Sequence, residues 1–372
     1  MPIERIDLRA APAQFRHDAL RRAAAAIAGG QLVICPTETV YGLFASALRP
    51  GAVASARAIA GLADGAALTW HTHDPAHAVN LLGLSSPIHR RLVERLAPGP
   101  VTFVVELDAS GLERLRAGLG VAPGVLDDGA SVPVRIPSDD TCREALRAAG
   151  GTVVGVGAPS PEAPIDAPRE RDLSDSVREG VALLLDTGPT QWRRGSTHVR
   201  LLRDGGYRVA HEGALDARIV ERALTRLILF VCSGNTCRSP MAEAIAREAL
   251  ARRESGAVRT RVASAGVGAY PGMPATEEAR QALRSMGIEP GRHASRPLTR
   301  ELLSEAEAIF AMTPAHVGAI LAMDPSARGR VFLLDPEGRD IADPLGMSQE
   351  AYNHTAATIR ASIERRLDEL GL

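Results

Sequence analysis

Residues 226–244 read RLILFVCSGNTCRSPMAEA. The first six make an almost wholly apolar run of strand length. A short polar loop follows, Cys232 to Cys237, and then Arg238, Ser239 and Pro240 lead into an Ala- and Glu-rich stretch. Pro240 suits the first turn of a helix, where its missing N–H costs nothing. A continuous apolar strand, a tight loop and a helix in direct succession mark the start of a parallel α/β sheet, buried on both faces.

Downstream, the pattern repeats. Apolar spacing predicts helices over 240–252, 275–286, 314–322 and 348–370, with strands over 259–263, 308–312 and 330–334 between them. Upstream, an Ala-rich helix over 15–28 ends at Gly29-Gly30, and a strand over 31–35 stops at Pro36. Further strands are expected over 101–107, 132–136, 152–156 and 181–185, and a helix over 87–96. The fold class read from this order is α/β. A mixed α/β domain spans 8–215, a linker 216–225, and a second domain with a parallel four-stranded sheet flanked by helices 226–372.

Composition narrows the chemistry. A chain of 372 residues, 45% hydrophobic, carries enough core for two domains. Net charge is −1, so no bulk attraction to nucleic acid or membrane is indicated. All 43 basic residues are Arg. A Walker-type phosphate loop, a pyridoxal Schiff base and a lysine general base are therefore excluded. Cys35, Cys142, Cys232 and Cys237 show no C-x2-C spacing, so no metal site is expected, and no cofactor. The first residues lack an apolar leader, and no run reaches membrane-spanning length, so a cytoplasmic setting without membrane contact is expected.

The loop after the apolar strand has the form Cys-x5-Arg. Chance supplies roughly half such a match in a chain of this composition, so the context carries the weight. Inward-facing N–H groups of a tight loop form an anion nest, and the helix N-terminus adds positive partial charge. Both favour an anion at the centre, a thiolate or a phosphoryl group. Arg238 returns to the same site with a planar fork for two phosphoryl oxygens. Gly234 is expected to give the loop its tight backbone, and Ser239 to donate a hydrogen bond to the Cys232 sulfur.

The run CSGNTCRSPMAEA resembles the signature of the low-molecular-weight protein tyrosine phosphatases. Ser264-Ala265-Gly266, His293 with Ser295-Arg296, and residues 308–312 resemble further family segments in order. The resemblance implies Cys232 as nucleophile, forming a phosphocysteine, and Arg238 as phosphate clamp. It implies Ser233, Gly234, Asn235, Thr236, Cys237 and Ser239 as the phosphate-binding loop, shaped by hydrogen bonds from Asn235, Ser264 and His293. Phosphorylated protein side chains are the implied substrates. A general acid for the leaving group is also required. Three Asp-Pro pairs, at Asp324, Asp335 and Asp343, are available, and each also reads as a turn. Family order selects Asp343, with Asp335 as runner-up. Thr236 stands where tyrosine-directed members carry a bulky aliphatic residue, and Leu345-Gly346 replaces their aromatics. Thr236 is similar to the protein-arginine-phosphatase branch. An arsenate-reductase reading fails for want of cysteines after Cys237. Cys237 either forms a protective disulfide with Cys232 or packs beneath the loop.

Pro36-Thr-Glu-Thr-Val-Tyr-Gly-Leu43 resembles the opening motif of the YrdC-type threonylcarbamoyl-AMP synthases, as do 96–103, Val134-Arg135 and Gly195-Ser-Thr197. That family uses a K-x-R pair and an S-x-N pair. Here Ala60 and Leu62 fall at the first and Val156 and Ala158 at the second, while His211 replaces an Arg. Apolar groups cannot hold a triphosphate. The expectation is a domain without synthase activity that binds RNA or a nucleotide. The alternatives are a bifunctional protein that retains L-threonylcarbamoyladenylate synthesis for tRNA modification, and a different alignment in which Arg135 or Arg194 serves.

Overall fold

The structure is a computed structural model and describes residues 3–157, 174–253 and 258–372. Ala158 lies outside the described residues. The chain divides into two compact units, Met1–Leu224 and Thr225–Leu372. Among the described residues no helix is long and apolar enough to cross a membrane.

The first unit is built on a ten-stranded mixed sheet. Its strands are β1 (Glu4–Asp7), β2 (Leu32–Cys35), β3 (Gly42–Ser46), β4 (Thr69–His71), β5 (Val101–Glu106), β6 (Ser131–Arg135), β7 (Val153–Gly157), β8 (Val181–Asp186), β9 (Thr197–Leu201) and β10 (Tyr207–His211). They lie in the order β1-β8-β2-β3-β7-β4-β6-β5-β9-β10. The helices are α1 (Ala13–Ala28), α2 (Pro50–Ile59), α3 (Pro75–Leu81), α4 (Pro87–Leu96), α5 (Ala109–Leu119), α6 (Asp140–Ala149), α7 (Asp175–Gly180) and α8 (Ala217–Ala223). Period-2 alternation sorts β2 to two cores: Leu32 and Ile34 enter one apolar cluster, Val33 and Cys35 the other. The stretch read as a linker holds α8, capped by Asp216, and its Val220 and Ala223 join the first of these clusters.

The second unit has a four-stranded, all-parallel sheet, ordered β12-β11-β13-β14. Its strands are β11 (Thr225–Cys232), β12 (Arg259–Gly266), β13 (Ala308–Ala311) and β14 (Val331–Leu333). The helices are α9 (Arg238–Arg252), α10 (Glu277–Ser285), α11 (Arg300–Glu305), α12 (Pro314–Met323) and α13 (Gln349–Glu369). The apolar run becomes the central strand β11, hydrogen-bonded on both edges. Its alternate side chains again part. Leu227, Leu229 and Val231 face one core, and Ile228, Phe230 and Cys232 face the core shared with α9, α10 and α13. On α13, Tyr352, Ala356, Ile359, Ile363 and Leu367 recur at helical spacing and seal that face. α9 begins at Arg238, two residues before the expected start at Pro240, so Arg238 itself lies in the first turn.

Candidate active site

β11 ends at Cys232 and α9 starts at Arg238, so the loop between them is short and closed at both ends. Cys232 is buried, with its sulfur 3.0 Å from the Ser239 hydroxyl and 3.3 Å from the Asn235 N–H. These are two hydrogen-bonding groups at one sulfur.

The loop's strained position is Asn235, at φ 55°, and not Gly234. A Cβ on Gly234 would meet only the Thr236 hydroxyl, at an ordinary 3.5 Å, so Gly234 is not where tightness is needed. Asn tolerates the left-handed region because its short polar side chain bonds nearby. Asn235 Nδ2 donates to Ser239 Oγ and to Ser264 Oγ, both at 2.9 Å, and its Oδ1 accepts from the Arg296 N–H at 2.9 Å. Ser264 in turn donates to Glu243 at 2.6 Å. His293 Nε2 donates to the Asn235 carbonyl at 2.7 Å. It does so from an irregular segment between α10 and α11. The Thr236 carbonyl accepts from the Thr276 N–H. Gly266 is the close approach beneath the loop: a Cβ there would lie 2.4 Å from the Ser233 carbonyl oxygen.

Arg238 is buried, and its guanidinium is held on two atoms. Nη1 donates to the Ile341 carbonyl at 3.1 Å, and Nη2 donates to Asp343 and, at 3.4 Å, to Ser233 Oγ. Its Nε is buried without a hydrogen-bond partner. An unpaired N–H beside Nη2 is one tine of a fork made for two oxygens of a tetrahedral anion.

The three Asp-Pro pairs part company. Asp324 caps the short 3₁₀ turn at Pro325–Gly329. Asp335 is buried, accepts from the Glu337 N–H and pairs with Arg339. Asp343 reaches Arg238, and its side chain remains 44% exposed. Thr236 is half-buried, and Cys237 is buried with its sulfur 3.4 Å from the Tyr352 hydroxyl. All four cysteines are free and buried. Burial pushes the Cys35 and Cys142 thiols up, which removes them as nucleophiles.

Two groups beside the loop were not legible in the motif. His316 lies 2.9 Å from Ser233 Oγ through Nε2. Tyr270, 80% exposed, sits in the segment after β12, where the Val267 and Gly268 N–H groups bond the Cys232 and Ser233 carbonyls. Tyr270 thus lies two residues beyond Gly268 in a segment tied to the loop.

In the first unit, Arg135 at the end of β6 is buried against Glu38 at 2.9 Å. The same Nη2 also donates to Thr37 and Thr39, and Glu38 accepts the Ser138 N–H at 3.0 Å. Ala60 caps the end of α2, Leu62 is exposed, Val156 pairs with Leu43 across β3 and β7, and the His211 ring lies 5.8 Å from that of His198. Arg194 is exposed.

Comparison with known proteins finds relatives for each unit. The model described as low molecular weight phosphotyrosine protein phosphatase matches residues 227–371. The Sua5/YciO/YrdC model, described as telomere recombination, matches residues 25–213. A protein-arginine-phosphatase of Bacillus subtilis is 40% identical over 147 residues, covering 38% of this chain and 93% of that protein. A putative threonylcarbamoyl-AMP synthase of Mycobacterium tuberculosis is 33% identical over 186 residues, covering 48% of this chain and 77% of that protein. Among solved structures, the YwlE arginine phosphatase from Geobacillus stearothermophilus has a TM-score of 0.36 at 36% identity, covering 39% of this chain and 93% of the other. The chain belongs to both families: its N-terminal unit to Sua5/YciO/YrdC and its C-terminal unit to the cysteine-dependent low molecular weight phosphatases, which act on phosphorylated proteins.

Proposed function

We propose that the second unit hydrolyses phosphoarginine side chains of proteins, with Cys232 as nucleophile, Arg238 as clamp and Asp343 as general acid. The observation that carries this reading is the pairing of buried Arg238 with the exposed Asp343 while Arg238 Nε stays unpaired. A phosphoryl dianion entering the loop would take the fork and release Asp343, whose carboxyl takes up a proton from solvent and turns towards the leaving group. The Cys232 sulfur attacks phosphorus, the P–N bond breaks, and Asp343 delivers its proton to the departing nitrogen. Water then attacks the phosphocysteine as Asp343 takes back a proton, yielding inorganic phosphate. Relatives named protein-arginine-phosphatase support the substrate, as does the hydroxyl of Thr236. Phosphotyrosine is the second reading, favoured by the exposed ring of Tyr270. Turnover of phosphoarginine and phosphotyrosine by the parent and by Thr236→Ile decides between them: phosphoarginine preference lost on substitution is expected, and an unchanged preference removes Thr236 as selector.

The first unit, in this proposal, makes no threonylcarbamoyl adenylate and serves as an RNA- or nucleotide-binding module in the cytoplasm. The burial of Arg135 against Glu38 supports the absence of synthesis, since that guanidinium is already neutralised. Pyrophosphate release from ATP that depends on threonine and bicarbonate would overturn it.

A further inference from the structure

His316 is packed against the phosphate loop, yet the chemistry above assigns it nothing. It is 5% exposed and lies in the first turn of α12, which follows β13 directly. Both ring nitrogens are engaged: Nε2 is 2.9 Å from Ser233 Oγ, and Nδ1 is 2.9 Å from Thr313 Oγ1. Thr313 is the N-cap residue of α12, but its hydroxyl makes no capping bond. A side chain of the type that ordinarily satisfies a helix end is spent on the imidazole instead.

The protons can be placed so that every atom in this chain is satisfied with a neutral ring. Arg238 Nη2 donates to Ser233 Oγ, Ser233 donates to His316 Nε2, and His316 Nδ1–H donates to Thr313 Oγ1. We propose that His316 is a positioning residue for the phosphate clamp: as a neutral acceptor it orients the Ser233 hydroxyl on which one arm of Arg238 rests. This deepens the reading of Arg238 as clamp and rests on it.

The charged groups that bear on the ring are Arg238, Asp343 and Asp340. Burial first, and the Arg238 guanidinium second, move the His316 pKa down from its ordinary value, while the two carboxylates oppose the shift. The ring is therefore neutral where an exposed histidine is already titrating. When it does protonate, Nε2 becomes a donor and the Ser233 hydroxyl must turn, which disturbs the oxygen on which Arg238 rests. Phosphate binding then weakens on the acid side.

The test uses the full chain with p-nitrophenyl phosphate as substrate and inorganic phosphate as competing ligand, from about pH 5 to 8. His316→Ala is expected to raise KM and the phosphate inhibition constant about tenfold, with kcat changed about threefold or less. In His316→Gln the amide oxygen can stand in for Nε2 as an acceptor that does not titrate. That variant is expected to restore KM to within about threefold of the parent and to abolish the ring's contribution to the acid-side rise in KM. An unshifted KM in His316→Ala overturns the proposal. So does a His316→Gln enzyme as impaired as His316→Ala, or one with the parent's full acid-side rise. Loss of kcat alone, in proportion to unfolded protein, also overturns it. Cys232→Ser is read alongside. Activity there overturns the nucleophile assignment and this inference with it, whereas an inactive Cys232→Ser beside an unshifted His316→Ala removes His316 alone.

Discussion

Arg238 and Arg135 are both buried, each keeps an Nε without a partner, and each carries a carboxylate on Nη2. They differ in where that carboxylate lives. The Glu38 side chain is 3% exposed and held by backbone N–H groups at the start of α6, so the Arg135 pair is closed. The Asp343 side chain is 44% exposed, in the irregular segment before α13. One guanidinium has a partner that cannot leave without stranding two buried charges; the other has one that water can take over at little cost. A cation available for chemistry is thus distinguished by the mobility of its counter-ion, not by its own burial.

The comparison breaks first at the phosphatase loop. Cys232→Ser, or Arg238→Lys, which replaces a fork by a point charge, is expected to cut kcat/KM by about a thousandfold or more, measured with an aryl phosphate. Added EDTA is expected to leave the parent's activity unchanged, since Arg238 and the loop supply the charge stabilisation.

Glu38→Ala tests the closed pair. It leaves Arg135 buried and uncompensated, and should cost the first unit about 3–5 kcal/mol, read from the urea midpoint of that unit. Asp343→Ala should leave the second unit's midpoint within about 0.5 kcal/mol and lower kcat about a hundredfold. Equal stability losses in the two variants would erase the distinction.

Gly266→Ala probes the floor of the loop. A methyl 2.4 Å from the Ser233 carbonyl oxygen and 2.9 Å from the Asn235 nitrogen forces backbone to move. A drop in kcat/KM of about ten- to a hundredfold is expected, larger than for Gly234→Ala.

The smallest effect concerns pH. Burial and the nearby Arg135 hold His71 down at about 3, whereas burial and the Glu38 charge hold Asp139 up at about 6. As pH falls from about 6 to 4, His71 resists the proton that the unfolded chain takes, and stability is lost. Over the same window Asp139 takes a proton that the unfolded chain does not, and stability is gained. The two slopes oppose. Asp139→Asn, which can still cap α6, should expose the His71 slope of about 1.4 kcal/mol per pH unit, read from hydrogen exchange of β6 and β7 amides.

The strand, loop and helix around Cys232 were legible because a continuous apolar run can be little else than a doubly buried strand. β12 runs on to Gly266, past the expected end at 263, because Cys232 pairs with Gly266 across the sheet, a contact that local pattern does not contain. The expectation of tight backbone at Gly234 differs from the structure, whose left-handed residue is Asn235, for a similar reason. Glycine is the default there, but the Asn235 side chain donates two hydrogen bonds and accepts a third, from a residue 61 positions away, and these make Asn suffice. His316 is 83 residues from Ser233, and Arg135 is 97 from Glu38. Neither spacing belongs to a motif, so neither contact could be read before the chain was folded.

Cys232 closes the apolar cluster that contains Phe230, Met241, Tyr352 and Ile359. The sulfur is therefore positioned by the packing of the domain as much as by its loop. A substitution that merely loosens that interior, with no polar atom altered and no contact to substrate, shifts the point from which attack begins. For substitutions in that interior, durability and turnover move together, whereas changes confined to the polar groups of the loop separate them.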